Sequence, residues 1–258
     1  MTHSIRLLFI LPIFALKLLA DPILSSWFTE HSGQYARIYE TSADESALNP
    51  VTTWSHPNNG SGQALPTYAG VHEIAYTDTN VYIRTSGLGF HVMGPWYLDE
   101  ERTNLFPNYP SNTSTIFRFP RVPGTPPISK TATGNGTIGY FVDGIGMFDS
   151  RDAFSYSNAN EGDARPNSDF TGDGIWNRDA YINESVTFDS AHAHQAGINH
   201  HYHANPPALR HLIGDSVDYD ASTNTYTENF NGQHSPIVGW VRDGYPIYGP
   251  YGYDDPDD

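Results

Sequence analysis

The stretch VHEIAYTDTNVYIR, residues 71–84, decides how this chain is read. Val71 to Tyr76 and Val81 to Arg84 are rich in β-branched and aromatic residues, which suit a pleated, half-buried surface. Between them lies Thr77-Asp78-Thr79-Asn80, a run of short polar residues that favours a tight turn, so the pattern predicts a β-hairpin. Further short strands are expected at Phe117 to Arg121, Ile138 to Val142, Val186 to Phe188, His200 to His203 and Ile237 to Val241. Breakers separate them, notably Pro123-Gly124-Thr125-Pro126-Pro127, and Asn160 to Gly174 reads as a polar surface excursion. The composition agrees: 23 Gly, 19 Pro, 17 Tyr and 13 Phe stand against 3 Met in 258 residues. The expected fold class is mainly β, a sandwich-like or open-barrel arrangement of short strands with long Gly/Pro/Asp-rich loops and few helices.

The first twenty residues resemble a secretory signal: Arg6, the apolar run Leu7 to Leu16, and small Ala20 before Asp21. The apolar run is too short for a membrane-spanning helix, which needs about 20 residues. The expected organisation is therefore a signal peptide over 1–20 and a single β-rich domain over 21–258. The expected destination is periplasmic, cell-surface or secreted. With no cysteine, the chain has no disulfide framework and no thiolate metal site. Its formal charge of −16 argues against nucleic acid, which demands a concentrated basic face. A small molecule, a glycan or a protein remains as the partner class.

Several familiar strings fail on context. Gly134-Asn135-Gly136-Thr137-Ile138-Gly139 matches a dinucleotide fingerprint in letters, but Pro-rich chain precedes it and a β-like run follows. His72-Glu73 has Tyr76 where a zinc-protease helix needs its second His. Asp169 to Gly174 opens like a calcium loop, yet position 12 is Ala180 instead of a bidentate Glu.

The anomaly is histidine. His192, His194, His200, His201 and His203 fall within twelve positions of a chain that has twelve His in all. In a strand, residues i and i+2 share a face, so His201 and His203 project together while His200 and Tyr202 face the other way. Two imidazoles on one face can share a transition metal. The alternative is a polar pocket in which the rings hydrogen-bond to carbonyls and carboxylates. Imidazole suits copper, zinc, iron or nickel, with copper and zinc the leading candidates here.

Ala193-His194-Gln195-Ala196-Gly197 and His201-Tyr202-His203-Ala204-Asn205-Pro206 resemble the YHYH protein family, named for a Tyr-His-Tyr-His signature. Gly174 to Ala180, His234-Ser235-Pro236 and Asp243 to Gly252 extend the resemblance, which runs from about Gly70 to the end. One position departs: His200 stands where the first signature Tyr belongs. The resemblance implies an exported, β-rich protein without a settled reaction, and its members run longer, which implies an incomplete C-terminus. It also ranks the histidines. His194, His201, His203 and His234 fall on motif positions and are the expected metal ligands, whereas His192 and His200 look incidental. Asp243 and Tyr202 are the candidates to support the ligands, although Asp243-Gly244 reads first as ordinary turn chemistry.

Two functions compete on these grounds. One is an exported protein that binds a transition metal through its His cluster, with hydrolytic or redox activity if a coordination position stays open. The other is a non-catalytic binding or adhesion module presenting Trp96, Trp176, Trp240 and the late tyrosines to a glycan or a protein. A structural domain attached to further partners is a third reading.

Overall fold

A computed structural model describes residues 21–29, 34–134, 136–151, 155–163, 173 and 176–254. The expected signal segment and nearly all of the calcium-loop-like string lie outside them. The chain is mainly β, as expected, and its sheets are open, with no closed barrel among the described residues. Helices are few and short: α1 (Pro22–Ser25), α2 (Ser42–Ser46), α3 (Ala180–Glu184) and α4 (Pro207–Leu212). No helix of the described residues is long and apolar enough to cross a membrane.

The expected hairpin forms from β1 (Val71–Tyr76) and β2 (Asn80–Thr85), paired antiparallel. Its turn is closed by Thr77, whose amide donates to the Asn80 carbonyl at 2.8 Å and whose hydroxyl accepts from the Asn80 amide at 3.1 Å. A third strand, β3 (Thr115–Pro120), pairs with β2 along its full length. Val81 and Ile83 alternate with more exposed neighbours, and together with Phe119 they present a buried face.

That face meets the larger sheet. Its strands are β4 (Thr137–Phe141), β5 (Gly146–Phe148), β6 (Ala193–Ala196), β7 (Asn199–Tyr202), β8 (Ile237–Val241) and β9 (Pro246–Tyr248). In space they run β6-β7-β5-β4-β8-β9, with β7 and β5 parallel and the other pairs antiparallel. Val81, Ile83 and Phe119 share one core with Tyr140, Phe141, Met147, Tyr202, Val238 and Trp240 of this sheet. Burial of such side chains contributes about 1.5–3 kcal/mol each, which holds the two sheets face to face. A second core gathers Ile38, Trp54, Leu88, Phe90, Met93, Trp96 and Tyr109.

One expected strand is absent. Ser185–Thr187 forms a single 3-10 turn that continues directly from α3. The Thr187 hydroxyl donates to the Glu184 carbonyl at 2.7 Å, a local bond that competes with extended backbone. Conversely, β5, β6 and α4 carried no clear periodic signal, because β5 has only three residues and is buried throughout.

Candidate metal centre

A hairpin builds the centre. β6 and β7 are joined by Gly197-Ile198, with Gly197 at φ +61°, a conformation in which glycine avoids the Cβ clash. The register sets His194 directly opposite His201 and Gln195 directly opposite His200. Opposed residues share a face, so one face of this ribbon carries His194 and His201, and the other carries Gln195 and His200. His203 follows the strand end and joins His201, as the i, i+2 spacing predicts.

The three rings converge through one atom each. His203 Nε2 lies 3.0 Å from His194 Nε2 and 2.9 Å from His201 Nε2. Glu184, at the end of α3, brings Oε2 to 3.2 Å from His203 Nε2 and 3.4 Å from His194 Nε2. Donors around a tetrahedral ion with bonds of about 2.0–2.1 Å stand roughly 3.3 Å apart, close to these separations.

The tautomers follow from the outer bonds. His201 Nδ1 lies 3.0 Å from the Asn199 carbonyl, which only accepts, so Nδ1 carries the proton and Nε2 the lone pair. Thr187 spends its hydroxyl proton on Glu184 O, so at 2.7 Å its oxygen accepts from His194 Nδ1, and His194 Nε2 is also a bare lone pair. Two lone pairs and one carboxylate oxygen therefore surround His203 Nε2, which can offer at most one proton to three acceptors. The cluster is short of positive charge, a deficit that a bound metal ion would offset. Nothing dictates the tautomer of His203, because its Nδ1 is buried with no hydrogen-bond partner.

Electrostatics keeps His194 and His201 neutral. Burial, then the neighbouring His203 and His200, lower the His194 pKa to about 3. Burial, followed by His194 and His203, holds His201 well below the ordinary imidazole value. Metal ligands must be deprotonated, so this environment prepares them. Aromatic rings lock the geometry: Phe148 stacks on His201 with centroids 3.7 Å apart, and Phe188 stacks on His203 at 5.5 Å. Beside His203 opens a cavity of about 380 Å³, walled by Phe141, Met147, Phe148, Val238 and Tyr248.

Of the residues expected from sequence, His194, His201 and His203 come together as a group able to hold a metal. His234 does not join them. Its Nδ1 lies 2.6 Å from the Ser235 carbonyl, and its ring packs against Tyr248 and Tyr253. One of those partners, Tyr248, lines the cavity beside His203. Asp243 is exposed in the turn from β8 to β9, where Gly244 takes φ +87°, so its position is that of the turn residue. Tyr202 is fully buried on the opposite face, donating to Asp143 Oδ2 at 3.1 Å.

Sequence reasoning missed Glu184 and Thr187, which no His-centred spacing marks. It also set aside His200, which forms a second group with His91 and Asp189. His192 has φ +60° and an edge contact with Tyr181, outside both groups.

No curated protein and no solved structure matches the chain. A family model described as "YHYH protein" matches residues 116–258, a span that begins later than Gly70 and takes in Glu184 and all three converging histidines. That match covers more than half of the sequence, and the chain belongs to the YHYH protein family.

Proposed function

We propose that this chain is an exported metalloprotein whose working centre is a transition metal held by His194, His201 and His203, with Glu184 beside it. The observation that carries this reading is the proton count: two imidazole lone pairs and a carboxylate converge on a third imidazole with one proton at most to share. Nitrogen ligands with one carboxylate suit zinc or copper. Zinc there would supply hydrolytic chemistry, and copper would supply redox chemistry. Glu184 is placed either to complete the coordination or to take a proton from a bound water. The apolar cavity beside His203 favours a small, largely apolar molecule as the group that meets the metal.

Export is part of the same proposal. Asp21, the residue after the expected cleavage point, already caps α1 through the Ile23 amide and pairs with Arg121 at 2.9 Å. A chain beginning there keeps both contacts.

Elemental analysis of the full chain, against a His201→Ala plus His203→Ala variant, tests the centre. Stoichiometric zinc or copper lost in the folded variant is expected. Equal metal content in both proteins sinks the proposal. The adhesion reading keeps one supporting observation, the exposed rings of Trp176, Tyr248 and Tyr253, but loses Trp96 and Trp240, which are buried. Retention on a glycan array that Trp176→Ala abolishes would favour it.

A further inference from the structure

The opposite face of the same hairpin holds a second constellation. His91 Nε2 lies 3.4 Å from Asp189 Oδ2, and one donor atom each from His91, Asp189 and His200 fall within 4.8 Å of one another. All three are inside the protein: the side chains of His91 and Asp189 are 4% and 0% exposed, and His200 is 0% exposed.

His200 is the unexplained member. Both of its ring nitrogens are buried and make no hydrogen bond of good geometry, although the His194 backbone lies close enough to act on the ring. Leaving one such group unsatisfied costs about 1–3 kcal/mol, and native interiors rarely tolerate it without a role. Its ring is fixed edge-on against Trp96 at 5.7 Å and lies 5.8 Å from His91. Gln195, directly across the ribbon, has Oε1 buried and unpartnered as well.

The carboxylate is organised as a metal-binding carboxylate would be. Asp189 Oδ1 accepts from the amides of Ala191 (2.9 Å) and Ala193 (3.2 Å), and Oδ2 accepts from Gly94 at 3.0 Å. Gly94 sits at φ +69°, and a Cβ there would stand 2.9 Å from the Tyr39 carbonyl, so glycine lets this amide reach. His91 is oriented from outside. Tyr202 donates its proton to Asp143, so its oxygen is left to accept from His91 Nδ1 at 3.4 Å. His91 Nε2 faces Asp189 Oδ2 in turn, so the ring bridges the Tyr202 phenol and the carboxylate through contacts of 3.4 Å each. The 3.4 Å separation exceeds the roughly 2.7–2.9 Å of a charge-assisted hydrogen bond and matches the spacing of two donors on one ion.

We propose that His91, Asp189 and His200 form a second transition-metal site, back to back with the first across the β6–β7 ribbon. Two imidazoles and one carboxylate leave coordination positions open, a donor set suited to zinc or iron(II). A cavity of about 170 Å³ lined by His91, Tyr202, Asp143, Arg37 and Tyr226 gives a route to it. The departure from the family signature thus becomes functional in this chain, because His200 is a ligand in place of a phenol.

The test is zinc stoichiometry of the full chain after loading with zinc alone and dialysis. Wild type is expected to hold two equivalents. His200→Tyr, which restores the signature residue, is expected to hold one, and so is His91→Asn, a second variant in case the larger ring disturbs packing. His201→Ala plus His203→Ala is expected to keep the second equivalent and lose the first. A wild type with one equivalent that both His200→Tyr and His91→Asn retain overturns the second site and leaves the first standing. A wild type with one equivalent that His201→Ala plus His203→Ala retains, but that His200→Tyr and His91→Asn lose, overturns the first and leaves the second.

Discussion

Replacing Thr187 by Val tests the tautomer logic of the centre without touching a ligand. The swap preserves shape but removes the oxygen that accepts from His194 Nδ1 at 2.7 Å. In the metal-free protein, His194 can escape by moving its proton to Nε2, where the His201 side of the cluster and Glu184 offer acceptors. With metal on Nε2 that escape is closed, and Nδ1–H is left buried and unpaired. The cost, about 1–3 kcal/mol, therefore falls on the metal-bound state. Affinity should drop about tenfold to a hundredfold, the range usual for removing an outer partner of a metal-binding imidazole. Competition against a chromogenic chelator measures it, and Thr187→Ser should restore most of the loss. Unchanged affinity in a folded Thr187→Val protein would refute the assignment of His194 Nε2 as the donor.

The metal-free protein should lose stability on mild acidification. His194 and His200 have folded pKa values near 3 against about 6.5 unfolded, so the unfolded chain binds more protons between those limits and stability falls as pH drops through 6.5. Each costs about 2 kcal/mol at pH 5, while Asp143, raised by burial to about 6, gives back about 1 kcal/mol, leaving a net loss of at least about 3, since His201 is shifted in the same direction. Urea melts that are flat from pH 7.5 to 5 would contradict this. Ile83→Ala, at a fully buried position between the sheets, should cost about 2–5 kcal/mol in the same melts. Arg210→Met should cost about 3–5 kcal/mol, because it strips the buried partner from Asp215 while Glu228 can turn to solvent; a loss below 1 kcal/mol would mean Asp215 finds another partner.

What the sequence disclosed was mostly periodic. The 71–84 hairpin and the strand at 237–241 announce themselves through alternation and turn chemistry that act locally. The pairing of His201 with His203, and the opposite aspect of His200 and Tyr202, likewise follow from the two-residue period of a strand. The remainder depends on contacts that sequence distance hides. Glu184 and Thr187 enter from a helix end whose 3-10 continuation reads as a strand by composition. His91 meets Asp189 across 98 positions, brought there by the backbone at Gly94 and not by any spacing. Motif position alone puts His234 in the centre, and the fold instead packs it against Tyr248 and Tyr253, outside the group of three. His200 was set aside because it broke a signature, yet its two buried nitrogens, neither in a hydrogen bond of good geometry, mark it in three dimensions.

X-ray absorption at the metal edge of the loaded full chain examines the central claim most directly. The account predicts imidazole scattering from three rings at about 2.0–2.1 Å, with an oxygen at similar distance, in the His200→Tyr protein where only the first centre remains. A first shell made of oxygen alone, without imidazole scattering, would contradict it.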